Sequence, residues 1–383
     1  MSCDPDLFVG WHELLPDRHL NFQLNRWVAF GGLRWLADVR PFLDEFSNYG
    51  AWCSRFAMLG EQAEAEGRTF HAALHFRAAE FFMLRDDPRK TPLRRRLLPM
   101  LQAANGVPDN ARSEVVFQNA HLPVWQFGAR NPAKTAVVFG GFDSYIEDLF
   151  PVLTRLGREG WHAIAFDGPG QGAVLHDQQV PFTPHWHGPV GAVLNALNLD
   201  DVTLVGISLG GCLALRAAAF EPRIRRVVAF DVLSDLYEIS LNGLPKAVAA
   251  GASILMALGF RSAINMGSKR LARNDLQLQW EHEQGTLAFG CSSSYEAFQT
   301  SRAFHTRDIS HLITQDVLLM AGTDDHFVPI GQLHDQRRLL TSARSVTTRV
   351  FAAAEQAQAH CQVGNLPLAI RCISDWMTSR QNA

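Results

Sequence analysis

A lone serine stands between glycines in the run "VGISLGGC" at 205–212, with Gly206 two residues before Ser208 and Gly210 two after. No charge lies between Asp201 and Arg216. The apolar run "VTLVG" leads in and the alanine-rich "CLALRAAA" leads out, so Ser208 falls at a strand–helix corner. GxSxG at such a corner is the nucleophile-elbow pattern: a strained backbone lifts the hydroxyl clear, and side chains at i−2 and i+2 would collide across the turn. Alone the motif is weak, and an inert serine in a tight turn is the bland alternative.

A hydroxyl needs a base, and the base needs an acid to orient it. The order expected on this kind of sheet is serine, acid, histidine. The turn after "VLLMAG" carries Asp324 and Asp325, and the spacing Gly322-x-x-Asp325-x-x-x-Pro329 favours Asp325, leaving Asp324 as a solvated neighbour. Asp231, at the end of an earlier strand, is the runner-up acid. His360, in "RVFAAAEQAQAHCQVGN", is singled out among fifteen histidines by following the last strand. His326, on the acid's own turn, is poorly placed to reach a serine across a sheet. A tetrahedral oxyanion needs N–H donors. One is the backbone of Leu209 at a helix start; the other comes from "GGFDS", Phe142 being preferred and Gly141 the alternative.

These residues need a frame. Residues 1–112 read as helical, with apolar side chains at spacings of three and four and a break near Gly67. From 113 to 383 the chain changes: "EVVFQN" and "LPVWQFGA" are strand-like. "TAVVFGG", "HAIAFDG", "VTLVG", "RIRRVVAFD", "DVLLMAG" and "TTRVFAA" then alternate with helices. Continuous apolar strands are expected of a parallel sheet covered on both faces. Residues 232–305 interrupt that rhythm and have the position of an inserted cap.

The runs "GGFDSYIED" (140–148), "AFDGPGQG" (165–172), "PFTPHWHGPVGAVLNAL" (181–197), "GISLGG" (206–211) and "AHCQVG" (359–364) together resemble the α/β-hydrolases. More narrowly, they resemble the branch of fungal melanin-pathway hydrolases that shorten polyketides and of 2,6-dihydroxypseudooxynicotine hydrolase. Trp52 and "HFRAAEFF" (75–82) match that branch's extra helical domain, so the likeness covers nearly the whole chain. It implies an α/β-hydrolase fold, a mostly parallel sheet with helices on both faces, with an N-terminal helical domain and an inserted helical cap. It also implies a Ser208–Asp325–His360 triad working without a cofactor on a small-molecule ketone or ester. The reaction implied is cleavage of a C–C bond beside a ketone, or of an acyl bond. A carboxylesterase or thioesterase is the first rival, and a hydrolase-derived receptor without turnover the second. Ala359 and Gln356 depart from the pattern, standing where an acid and a glycine are common. Oligomeric state stays open, with a homodimer compatible with the resemblance.

Composition narrows the partners. The 383 residues are 47% hydrophobic and 19% charged with a formal charge of −3, which gives no reason to expect nucleic acid or an acidic membrane. Six cysteines without metal-type spacing read as reduced thiols of a cytosolic protein. The N-terminus lacks the pattern of a signal peptide, and the apolar run at 247–260 is too short to span a bilayer, reading instead as a buried or lid helix. His185 and His187 have no third ligand, "HEQG" (282–285) lacks the second histidine of a zinc helix, and "GPGQG" reads as a turn. "RKTPLRRR" (89–96) reads as a solvated face, with an anionic carrier protein as the sharper alternative.

Overall fold

The computed structural model describes residues 7–273 and 275–381. Four helices come first: α1 (Arg18–Val39), α2 (Tyr49–Ala65), α3 (Thr69–Phe81) and α4 (Lys90–Ala104). Gly67, at φ 73°, makes the left-handed break between α2 and α3, as the sequence leads one to expect. Their apolar faces close over Trp27, Trp35, Trp52, Phe56 and Phe76, with Trp280 entering the same cluster from far along the chain.

Eight strands follow: β1 (Arg112–Phe117), β2 (Ala120–Phe127), β3 (Thr135–Phe139), β4 (His162–Phe166), β5 (Val202–Ile207), β6 (Ile224–Phe230), β7 (Asp316–Gly322) and β8 (Ser345–Phe351). They form one sheet in the order β1-β2-β4-β3-β5-β6-β7-β8. The β1–β2 and β2–β4 pairs are antiparallel and the rest are parallel. β3 and β4 are buried at every position because helices lie on both faces. Alternate residues serve the two layers: Val137 and Leu204 pack with α7 (His187–Ala196) and α8 (Leu209–Ala218). Val138 and Val205 pack with α5 (Phe150–Arg158) and the last helix, α15 (Leu366–Gln381). α6 (Gly172–His176) and α14 (Gly331–Leu339) complete the cover.

Between β6 and β7 lie five further helices: α9 (Leu236–Asn242), α10 (Lys246–Ala257), α11 (Arg261–Ala272), α12 (Leu276–Ala288) and α13 (Ser294–Ser301). Of the two readings of the run 247–260, a buried or a lid helix, the buried one does not hold. The run forms α10, but Met256 is that helix's one buried side chain. It packs through a small cluster of Met256, Ile264 and Tyr295, against which Ala252 and Leu255 of the same helix also lie. Among the described residues no helix is long and apolar enough to cross a membrane.

Candidate active site

Ser208 sits where β5 gives way to α8, at φ 59° and ψ −123°, a backbone that few non-glycine residues adopt. Its N–H is held by the Phe230 carbonyl at 2.7 Å. The flanking glycines are required by space, though not in the way the motif alone suggests. A Cβ at Gly206 would fall 1.9 Å from the Gly210 carbonyl, across the turn as expected. A Cβ at Gly210 would instead strike the carbonyl of Gly140, 2.6 Å away on the neighbouring loop.

Ser208, His360 and Asp325 meet although they are distant in sequence. The Ser208 hydroxyl donates to His360 Nε2 over 2.8 Å, and His360 Nδ1 donates to Asp325 Oδ2 over 2.6 Å. The other Asp325 oxygen accepts the N–H groups of Phe327 and Val328, which fixes the carboxylate at the end of β7. Burial pushes the Asp325 carboxyl up, but the adjoining imidazole and these N–H groups bring it below the usual carboxylate range. Burial depresses His360 in turn, yet the Asp325 charge raises it well above the ordinary histidine value.

Asp231, the runner-up acid, is also here, fully buried at the end of β6. Its Oδ2 accepts the Cys361 N–H at 2.9 Å and its Oδ1 the Gln362 amide at 3.2 Å, while His360 Nδ1 is 3.8 Å away. Burial and the Asp325 charge drive the Asp231 carboxyl well above its usual range. Asp324 points outward to Arg18 on the surface. His326 lies between the rings of Phe22 and Phe327 and makes no hydrogen bond to Ser208. Burial lowers its pKa to about 3.

The loop after β3 lies against the serine. A Cβ at Gly141 would be 2.8 Å from that of Ser208. The Gly141 N–H donates to Ser144 Oγ at 3.1 Å, whereas Phe142 and Leu209 have no partner for their N–H groups among the described residues. Sequence reasoning missed what holds this loop. The Gln171 amide donates to the carbonyls of Gly140 at 2.6 Å and Gly141 at 3.2 Å. Arg77 of α3, 2% exposed, donates to the Asp143 carbonyl and pairs with Asp148 and Glu80. The signals were present in "DGPGQG" and "HFRAAEFF", but a turn and a helix were all that could be read there.

A cavity of about 260 Å³ opens over the serine, walled by Phe22 of α1, Phe142, Phe327, and Trp280, Phe289 and Phe298 from the helices between β6 and β7. Glu281 on α12 also lines it, and burial pushes that carboxyl up to about 7. Among the described residues, Asp231, His360 and Cys361 are the group close enough to share a metal ion, but both His360 nitrogens are engaged by Ser208 and Asp325. The basic run at 89–96 is largely paired: Arg89 with Asp87, Lys90 with Glu80, Arg94 with Asp177, Arg96 with Glu61 and Glu64.

Comparison with known proteins agrees with the resemblance drawn from the motifs. Residues 137–364 match the alpha/beta hydrolase family, and the chain belongs to it. Hydrolase acrC of Aspergillus aculeatus is 28% identical over 305 residues, covering 70% of each chain. Hydrolase LUC6 of a Fusarium species is 27% identical over 381 residues, covering 84% of this chain and 86% of that one. The structure of 2,6-dihydroxy-pseudo-oxynicotine hydrolase superposes with a TM-score of 0.58 at 20% identity, covering 86% of each chain. AbyA5 superposes with a TM-score of 0.67 at 18% identity over 90% of each. At such identities these structural likenesses establish the fold.

Proposed function

Proceeding from membership of the alpha/beta hydrolase family, we propose that this hydrolase uses Ser208 as nucleophile, His360 as base and Asp325 as orienting acid. The bond cleaved is a C–C bond beside a ketone, or an acyl bond, in an aromatic or polyketide-like small molecule. The observation that carries the reading is the hydrogen-bonded chain from Asp325 through His360 to Ser208, opening into an apolar, aromatic-walled cavity. Residues 1–112 and 232–305 act as the two helical walls of that cavity, contributing Phe22 and Trp280. A cytosolic setting belongs to the same reading, and the five described cysteines are free thiols.

Ser208 Oγ attacks the carbonyl as His360 Nε2 takes its proton, and Asp325 stabilises the imidazolium. The new oxyanion lies against the N–H groups of Leu209 and Phe142, which have no other partner among the described residues. His360 then returns the proton to the leaving group. A carbon leaves only as a stabilised enolate or ring-conjugated carbanion, so a β-diketone or an acylated phenol suits the site. Water, deprotonated by His360, clears the acyl-enzyme.

Product analysis in ¹⁸O-water with an aryl β-diketone and an aryl ester tests this. Cleavage of the diketone, with ¹⁸O in the released carboxylate, supports C–C hydrolysis. Turnover of the ester alone moves the reading to an esterase. Turnover of neither, nor of related acylated phenols, counts against the assignment.

A further inference from the structure

We propose that the outer face of α10 and α11 docks on an anionic lipid surface, from which an apolar substrate enters the cavity. Between Ile239 and Arg273 the chain carries Lys246, Arg261, Lys269, Arg270 and Arg273 but no Asp or Glu, a local charge of +5 in a chain of −3. All five side chains are exposed. Lys246, Lys269, Arg270 and Arg273 have no charged partner among the described residues. Arg261 lies over the Tyr295 ring at 5.3 Å, with Glu296 of α13 near enough to feel its charge. The flanking acids are engaged elsewhere: Glu238 faces Arg307, and Asp275 caps α12 through the Leu278 N–H.

Apolar side chains protrude among these cations. Val248, Ile254, Leu258, Phe260, Met266 and Leu271 are 38–71% exposed, and they make up six of the thirteen large exposed hydrophobics among the described residues. Met266 at 71% and Leu258 at 66% are too exposed to be serving the small cluster beneath them. A soluble face normally dilutes such side chains with acids of both helices; this one does not. Apolar residues interleaved with cations are what an interfacial helix presents: the apolar groups enter the headgroup boundary while Lys and Arg stay at the phosphates. The face is continuous with the cavity, since Leu244, Ser268 and Leu271 of the same segment line its wall. An apolar, aromatic-walled cavity takes a ligand that itself partitions into lipid.

The test is co-sedimentation of the full chain with vesicles of equimolar phosphatidylglycerol and phosphatidylcholine, against phosphatidylcholine alone. Wild type binds the anionic vesicles and is released by salt. The K246E/K269E/R270E variant loses about ten-fold or more of that binding, since each cation near an anionic surface contributes several-fold. The L258S/F260S variant weakens it independently, and both keep the wild-type melting temperature because none of the five residues is buried. Absence of binding to anionic vesicles overturns the proposal, as does equal binding to phosphatidylcholine or unchanged binding by both variants. A lipid-free dimer that L258S/F260S converts to monomer also overturns it, by showing that a second copy covers the face.

Discussion

Asp231 stands 3.8 Å from His360 Nδ1 and yet leaves that nitrogen to Asp325, 2.6 Å away. Its oxygens are taken up by Cys361 and Gln362, the two residues after the histidine, both of which have a left-handed backbone at φ 50°. Two buried carboxyls beside one imidazole cannot both ionise cheaply, and the opposed directions of their shifts assign the charge to Asp325.

The two acids are therefore not interchangeable. Asp325→Asn should lower kcat by about 10³–10⁴-fold, since the imidazole loses both its tautomer and its charge partner. Asp231→Asn keeps an acceptor for the Cys361 N–H and should stay within about ten-fold of wild type. Steady-state kinetics of both variants check this; equal collapse would make Asp231 the orienting acid.

Asp231 also makes a stability prediction with a definite sign. An acid whose folded pKa is raised binds protons more tightly folded than unfolded, so its contribution worsens as pH climbs from the unfolded value toward the folded one. Asp231→Asn should therefore gain on wild type in urea denaturation at pH 8 relative to pH 5. A gain that is larger at pH 5 contradicts the assignment of a neutral carboxyl.

The proposed mechanism uses His360 as a neutral base. Asp325 holds the imidazole well above the ordinary 6.5, against the effect of burial, so the acid limb of kcat/KM should lie above that value. In Asp325→Asn the limb should move down in pH, because the charge that raises His360 is gone. A pH–rate profile of residual activity reads both midpoints.

Arg77 joins α3 to the loop after β3 through Asp143 and Asp148, and pairs with Glu80 on its own helix. Arg77→Met leaves two buried carboxylates short of their partner and should cost roughly 3 kcal/mol or more. Chemical denaturation measures the loss. Arg77→Lys keeps the charge but not the fork, and should fall between.

Ser208, His360 and Asp325 stood out in the sequence because each follows an apolar strand, and a parallel sheet brings such strand ends to one edge. The glycines around Ser208 were legible for the same reason, though the role of Gly210 depends on Gly140, some seventy residues earlier. Gln171, Arg77 and Asp231 were less accessible. Their partners lie far away in sequence, and an amide in a turn or an arginine in a helix has no spacing that announces a partner. The sequence left α10 open as a buried or a lid helix, because an alanine- and leucine-rich run looks the same whether another layer covers it or not. The basic run at 89–96 looked available only because its acids, Glu61, Glu64, Glu80 and Asp177, come from other segments.

The most direct measurement is peptide mapping by mass spectrometry after brief exposure to an aryl fluorophosphonate, which reports an activated serine without knowledge of the substrate. One adduct is expected, on Ser208, absent in Ser208→Ala and strongly slowed in His360→Ala while both variants keep the wild-type fold. An unlabelled Ser208 in folded protein, or labelling indifferent to His360, would contradict it.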